Sequence, residues 1–235
     1  MKDLPAVDAH FDRGGWWDPG CRAFASLRAV TTFRLGLLRD WLPAAQRRLV
    51  VDLGCGGGLL AVPLAQDGAR VVAVDIAGKA LRELQARQQP GVAPVRGAID
   101  EAPVADGCAD LVLLADVLEH VAPSRIAPTL AEAARVLAVG GHLFVNTIAR
   151  TQRARWLAIW LAEGLGFVPR GTHRYDHFVA PDELETHATR AGLVRVQRCG
   201  ERPRLLRSLR HGVIQLERSE DLRVGYAALY RRSAA

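Results

Sequence analysis

Short β-branched runs alternate with stretches whose apolar residues recur every three or four positions, and this alternation covers most of the chain. Between Leu49 and Asp75 it is at its clearest: Leu49-Val50-Val51 predicts a strand, an amphipathic run after Gly58 predicts a helix, and Val71-Val72-Ala73-Val74 predicts a second strand. A helix follows over about 78–88, then a short strand near Val92 to Val95. Leu111-Val112-Leu113-Leu114-Ala115 is apolar at every position, as expected of a central parallel strand buried on both faces. The pattern then predicts a helix from about Pro123 to Leu137, with Gly140-Gly141 as its stop, and a fifth strand from His142 to Thr147. Strands and helices in this order predict an α/β fold with a doubly wound, Rossmann-like parallel sheet.

Two segments flank or interrupt that core. Phe24, Leu27, Val30, Leu35, Leu38 and Trp41 are spaced as one face of a helix closed by Pro43, and the aromatic cluster Trp16-Trp17-Asp18-Pro19 precedes it. This N-terminal helix either packs on the sheet edge or forms a lid over a site. Between Arg150 and Arg174 the α/β pattern breaks: Trp156 and Trp160 lie four apart, on one face of an inserted helix, with arginines at 150, 153, 155 and 170. A helix from about Pro181 to Ala191 and strands near Leu193 to Arg198 and Leu222 to Tyr230 finish the sheet. One domain is expected, with 1–45 as lid or helix, 46–150 as core, 151–180 as insertion and 181–235 completing the sheet.

Composition narrows this picture modestly. At 235 residues and 49% hydrophobic content the chain suits one folded globule. The formal charge of +6 is almost wholly arginine, since Lys2 and Lys79 are the only lysines, and it is scattered rather than blocked. Cys21, Cys55, Cys108 and Cys199 lack Cys-x-x-Cys spacing, so reduced thiols and a cytoplasmic setting are expected. No secretory signal opens the chain, and no apolar run reaches the roughly 20 residues that span a bilayer. The protein is expected to be soluble, or at most peripheral on a membrane.

The chemistry begins at the first strand-to-helix turn. Gly54, Gly56, Gly57 and Gly58 let the backbone approach a ligand, and Asp75, ending the second strand, can accept hydrogen bonds from two ribose hydroxyls. Gly56-x-Gly58-x-x-Ala61 meets a loose dinucleotide fingerprint, which leaves a nicotinamide or flavin dehydrogenase as one alternative. Asp52, however, sits just before the glycines, where a carboxylate repels a pyrophosphate and suits a cationic ligand. Asp52-x-Gly54-x-Gly56-x-Gly58 followed by Asp75 resembles the cofactor loop of class I S-adenosylmethionine (SAM) methyltransferases, whose ligand carries a sulfonium and an ammonium.

A narrower resemblance rests on several anchors together. Trp16-Trp17-Asp18, Arg34-Leu35, the glycine loop, Leu118-Glu119-His120-Val121, Gly171-Thr172-His173 and the segment 178–184 occur in the order and spacing of the ubiquinone-biosynthesis O-methyltransferases, over about residues 11 to 185. The resemblance implies SAM contacts at Arg34, Gly54, Asp75 and Ala115, with Asp52 and Gly56 in the loop and the backbone near Ile99 against the adenine. It also implies a small, prenylated phenol or catechol as acceptor. A neutral phenol, with a pKa near 10, needs about 4 kcal/mol to ionise at pH 7. The resemblance implies that a divalent cation such as Mg²⁺ supplies this, held by Asp116, Glu119 and His120, with Asp116 where Glu is usual. Alternatively Glu119 or His120 is a metal-free base, or the acids favour a helix N-terminus while His120 packs. His173 is a second candidate base, or a loop residue. The chain departs from the family at Ala149-Arg150 and in the arginine-rich tail from Arg198 to His211. An anionic membrane surface and other quinone-biosynthesis enzymes are candidate partners. A nucleic-acid substrate is not expected, because no Asn/Asp-Pro-Pro-aromatic motif follows the fourth strand and no RNA-binding module is appended. An RNA methyltransferase or a non-catalytic SAM-binding protein remains the functional alternative.

Overall fold

The computed structural model describes residues 9–43 and 48–234; residues 1–8 and 44–47, assigned above to the lid and its junction with the core, lie outside these. After a single turn at Arg22–Phe24, the chain forms α1 (Ala25–Trp41), β1 (Leu49–Leu53), α2 (Ala61–Gln66), β2 (Arg70–Asp75), α3 (Gly78–Ala86), β3 (Val92–Arg96), β4 (Ala109–Ala115) and α4 (Pro123–Val136). Then come β5 (Leu137–Ile148), α5 (Gln152–Arg155) running on as a π-helix (Trp156–Glu163), α6 (Pro181–Arg190), β6 (Leu193–Pro203), α7 (Leu205–His211), β7 (Leu216–Ser219) and β8 (Gly225–Arg232). All eight strands belong to one sheet in the order β3-β2-β1-β4-β5-β8-β6-β7. The first five are parallel, and β8, β6 and β7 add antiparallel pairings. The doubly wound sheet is therefore the one the sequence pattern predicts.

The apolar run in β4 shows why the core forms where it does. Leu111 and Leu113 pack with Leu38 of α1, Leu64 of α2 and Leu84 of α3, while Val112 and Leu114 pack with Ile126 and Leu130 of α4 and Leu184 of α6. Successive side chains point to opposite faces, so a strand covered by helices on both sides must be apolar throughout. The chain winds outward from β1 to β2 and β3, then crosses back to β4. The crevice where that order reverses lies at the C-terminal ends of β1 and β4, the usual ligand position in such sheets.

Three local expectations are corrected. Gly140-Gly141 does not stop a helix: α4 ends at Val136, and β5 runs through both glycines from Leu137. Leu137 is buried and pairs with Ala109, the register then jumps to His142 opposite Leu111, and a Cβ on Gly141 would lie 2.9 Å from two backbone carbonyls, so the glycines serve a bulge. The last strand begins at Gly225 rather than Leu222. The arginine-rich tail contains α7, and the edge strand β7 follows it; the pattern predicts neither, because both are short, α7 being largely exposed and β7 largely half-buried. All four cysteines are free. Among the described residues no helix is long and apolar enough to cross a membrane.

Candidate active site

The turn after β1 is built around an aromatic residue from the N-terminal segment. Trp16 is buried, stacks on Phe24 at 4.2 Å between ring centroids, and covers the glycine loop so closely that a Cβ on Gly56 or Gly57 would lie 2.3 Å from its ring. Gly56 also has φ +51°, a region side chains disfavour. The Trp17 indole N–H donates to the Gly57 carbonyl at 2.7 Å, and the backbone N–H groups of Gly15 and Trp17 donate to Glu83 at 2.8 and 3.1 Å. The room made by Gly56 and Gly57 is thus taken by the chain's own tryptophan. The N-terminal segment is seated on the loop.

Two carboxylates stand at the strand ends below it. Asp75 accepts from Gly56 N–H and Ala77 N–H, each at 2.7 Å, which ties the loop to β2, and burial raises its pKa. Asp52 is buried, and that burial, with the charge of Asp75 second, pushes its carboxyl up to about 7. A ligand with positive charge and no phosphate relieves both groups. This charge pattern fits SAM.

A cavity of about 540 Å³ opens beside these residues, and every site residue expected from the sequence lines it: Arg34, Asp52, Gly54, Gly56, Asp75, Ile99, Ala115, Asp116, Glu119, His120 and His173. Within it Arg34, on the buried face of α1, is clasped by Glu201 of β6: Nε donates to its two oxygens at 3.1 and 3.2 Å and Nη2 to Oε2 at 2.8 Å. Nη1 of Arg34 donates to Asp116, which also accepts from the Asn146 amide at 3.1 Å. Sequence reasoning missed Glu201. Its one signal is a lone acid among the arginines of the tail, and nothing local says that it points inward.

The expected metal ligands do not assemble. Asp116 lies on Arg34, and Glu119 accepts from the Thr147 hydroxyl at 2.7 Å while burial, with the charge of Asp116 second, lifts its carboxyl to about 8. The His120 ring packs edge-on to Phe11 at 4.7 Å. Ligands must converge, whereas here Asp116 is engaged by a guanidinium, Glu119 by a hydroxyl and His120 by an aromatic ring. Among the described residues no three His, Cys, Asp or Glu side chains stand together to hold a metal ion. The acidic-x-x-Glu-His spacing brings the three residues to one wall, but the pairing of Asp116 with Arg34, 82 positions away, turns the first of them aside.

The opposite wall comes from the insertion. His173 faces His120 with ring centroids 6.0 Å apart and planes 24° from parallel. Glu163, the last residue of the π-helix, holds the Gly171-Thr172-His173 turn: it accepts from the backbone N–H of Gly171 at 2.7 Å and of His173 at 2.9 Å, and lies 3.1 Å from His173 Nδ1. Leu157 and Leu161 of the π-helix line the cavity, as does Leu205 of α7. On the outside, Trp156 and Trp160 are 56% and 67% exposed, and Leu206 of α7 is 86% exposed.

Comparison with known proteins gives a consistent result. The family profile described as a methyltransferase domain matches residues 51–145. The ubiquinone biosynthesis O-methyltransferase of Ralstonia nicotianae is 35% identical over 227 residues, covering 94% of this chain and 90% of that one. Two solved structures share the fold. A protein of Pyrococcus horikoshii aligns with TM-score 0.69 at 16% identity over 97% of this chain and 100% of its own. The magnesium protoporphyrin IX methyltransferase of Synechocystis, with bound SAH, aligns with TM-score 0.64 at 18% identity over 95% and 91%.

Proposed function

We propose a reaction from one premise: the chain belongs to the ubiquinone-biosynthesis O-methyltransferases, class I enzymes that take their methyl group from SAM. The reaction is methyl transfer to a hydroxyl of a phenol or catechol, a polyprenylated intermediate of the ubiquinone pathway. The observation that carries this reading is the convergence of the cofactor loop, the acids at the ends of β1 and β2, and the His120 and His173 imidazoles on one cavity.

When bound, SAM supplies a methyl group on a positively charged sulfur, so the acceptor oxygen must be made nucleophilic. On the cofactor side, Asp75 would take the ribose hydroxyls with the lone pairs that Gly56 and Ala77 leave, and Gly54 and Gly56 would present backbone to the ligand. The backbone at Ile99 would border the adenine, and Ala115 would add a further contact to the cofactor. Asp52 faces the cationic end. Arg34, held by Glu201 and lining the same cavity, would hold the ligand's carboxylate through its guanidinium. On the acceptor side, an imidazole of the histidine pair removes the hydroxyl proton. Glu119, whose carboxyl burial lifts to about 8, would donate a hydrogen bond to the acceptor rather than act as base.

The exposed residues around this cavity support docking at an anionic bilayer. A polyprenylated phenol partitions into lipid. Trp156 and Trp160 suit the headgroup boundary, and Leu206 and Leu209 of α7 add apolar surface beside Arg207 and Arg210.

The test is incubation with methyl-labelled SAM and a panel of catechols with and without a prenyl chain, read by mass spectrometry. One added methyl, with the prenylated acceptors preferred, is expected. Transfer to no member of the panel overturns the acceptor assignment. The same assay in excess chelator reads whether a divalent cation takes part.

A further inference from the structure

The Gly171-Thr172-His173 turn is folded around a single carboxylate, and that carboxylate belongs to the insertion. Glu163 is buried at the end of the π-helix, and both of its oxygens are engaged by main-chain donors: Oε2 by Gly171 N–H at 2.7 Å and Oε1 by His173 N–H at 2.9 Å. The His173 ring brings Nδ1 to 3.1 Å from the same Oε1. An ionised carboxylate accepts hydrogen bonds and donates none, so this contact is a hydrogen bond only if Nδ1 carries the proton. A neutral imidazole has one N–H, and Nε2 on the far edge of the ring is then an acceptor.

From this geometry we infer that Glu163 is a positioning residue that fixes the tautomer of His173, making its Nε2 the atom that takes the acceptor's hydroxyl proton. The inference rests on the reading of the histidine pair given above, and it says which of the two is the base and why. Although burial opposes it, the hydrogen bonds from His173 and Gly171 lower the Glu163 pKa, in keeping with an ionised acceptor. In the step itself, the acceptor O–H proton passes to Nε2, giving an imidazolium with both nitrogens protonated. The acceptor oxygen, left with the bonding pair, takes the methyl, while the carbon–sulfur bonding pair stays on sulfur as a thioether. The imidazolium then gives its proton to water. Glu163 never touches the reacting atoms. It acts as the third member of a nucleophile, base and orienter series, in which loss of the orienting carboxylate removes the correct tautomer.

The placement has a structural consequence. Leu157 and Leu161 of the same π-helix line the cavity, so the element that forms this wall also carries the residue that orients the base.

The deciding measurement is nitrogen-15 NMR of ring-labelled histidine in the enzyme without SAM, the His173 signals being assigned by their loss in His173→Gln. In the wild type, Nδ1 protonated and Nε2 unprotonated is expected. The proton on Nε2 overturns the inference, whether or not any variant folds. Glu163→Ala should mix the two tautomers and lower kcat at least tenfold with KM for SAM within about twofold, and Glu163→Gln, which keeps one acceptor oxygen, should recover part of both signals. Unchanged kcat in a folded Glu163→Ala, judged by circular dichroism, also overturns it. If the wild type transfers no methyl to any catechol, the assigned reaction fails, while the tautomer still stands or falls on the spectrum of the free enzyme.

Discussion

Replacing Gly57 with alanine tests whether Trp16 is what the glycine loop is shaped for. Gly57, unlike Gly54, Gly56 and Gly58, does not have a positive φ, so alanine brings no backbone strain of that kind. Its new Cβ would lie 2.3 Å from Trp16 Cγ and 2.5 Å from Trp16 Cβ. Rotating the indole does not relieve a clash with its own Cβ, so the backbone at Trp16 must move and its stack on Phe24 must loosen. Full truncation of a buried tryptophan costs about 3–5 kcal/mol, and displacement should cost about 3 kcal/mol. In a Trp16→Gly background, which removes the Cβ together with the ring, the obstacle is gone, and Gly57→Ala should be near neutral or gain up to about 1 kcal/mol from the stiffer unfolded chain. The coupling is then about 3 kcal/mol, well above what independent sites show. Urea unfolding followed by far-UV circular dichroism, on the four proteins of the cycle, measures it. Gly36 of α1, where a Cβ meets nothing within 4 Å, is the control, and Gly36→Ala should stabilise by up to about 1 kcal/mol. An equal cost of Gly57→Ala in both backgrounds would refute the reasoning.

Three further outcomes are expected. Asp75→Ala should weaken SAM binding roughly ten- to a hundredfold by calorimetry and lower the melting temperature, because two backbone donors lose their acceptor; unchanged affinity removes Asp75 from the cofactor site. Glu119 has its folded carboxyl raised to about 8 from an ordinary value near 4.5, so the folded state alone holds that proton between those values and wild-type stability falls as pH rises through the window. Glu119→Gln should flatten that slope in denaturant titrations from pH 5 to 8, and a slope identical to wild type counts against a neutral Glu119. The protein should co-sediment with anionic but not neutral vesicles, less so in high salt and after Trp156→Ser with Trp160→Ser, each basic residue near the surface adding about 1 kcal/mol; binding to neither vesicle sinks the membrane reading.

What the sequence determined by itself is what depends on short-range pattern. Short apolar runs and period-3.6 patterning marked the strands from β1 to β5 and the helices between them, and the strand, glycine turn and acid of Leu49 to Asp75 pointed to a cofactor site at the sheet's switch point. That all the expected site residues line one cavity follows from the same source, since strand ends converge once the order of strands is known. The tertiary structure decided the partners. Arg34 was expected at the site and lines the cavity, but its counterions Glu201 and Asp116 lie 167 and 82 positions away, and the second of these pairings turns Asp116 from the expected ligand set. Trp16 over Gly57 is likewise a long-range packing fact behind a motif visible only as aromatic density. Glu163 is ten residues from His173 yet was not legible, because its role needs the π-helix to end and the Gly171 turn to fold back on it. A sequence records which side chains are apolar or charged at each step of a helix or strand; which charge faces which is settled only when the elements pack, since a buried ion must find a partner wherever the fold brings one within reach.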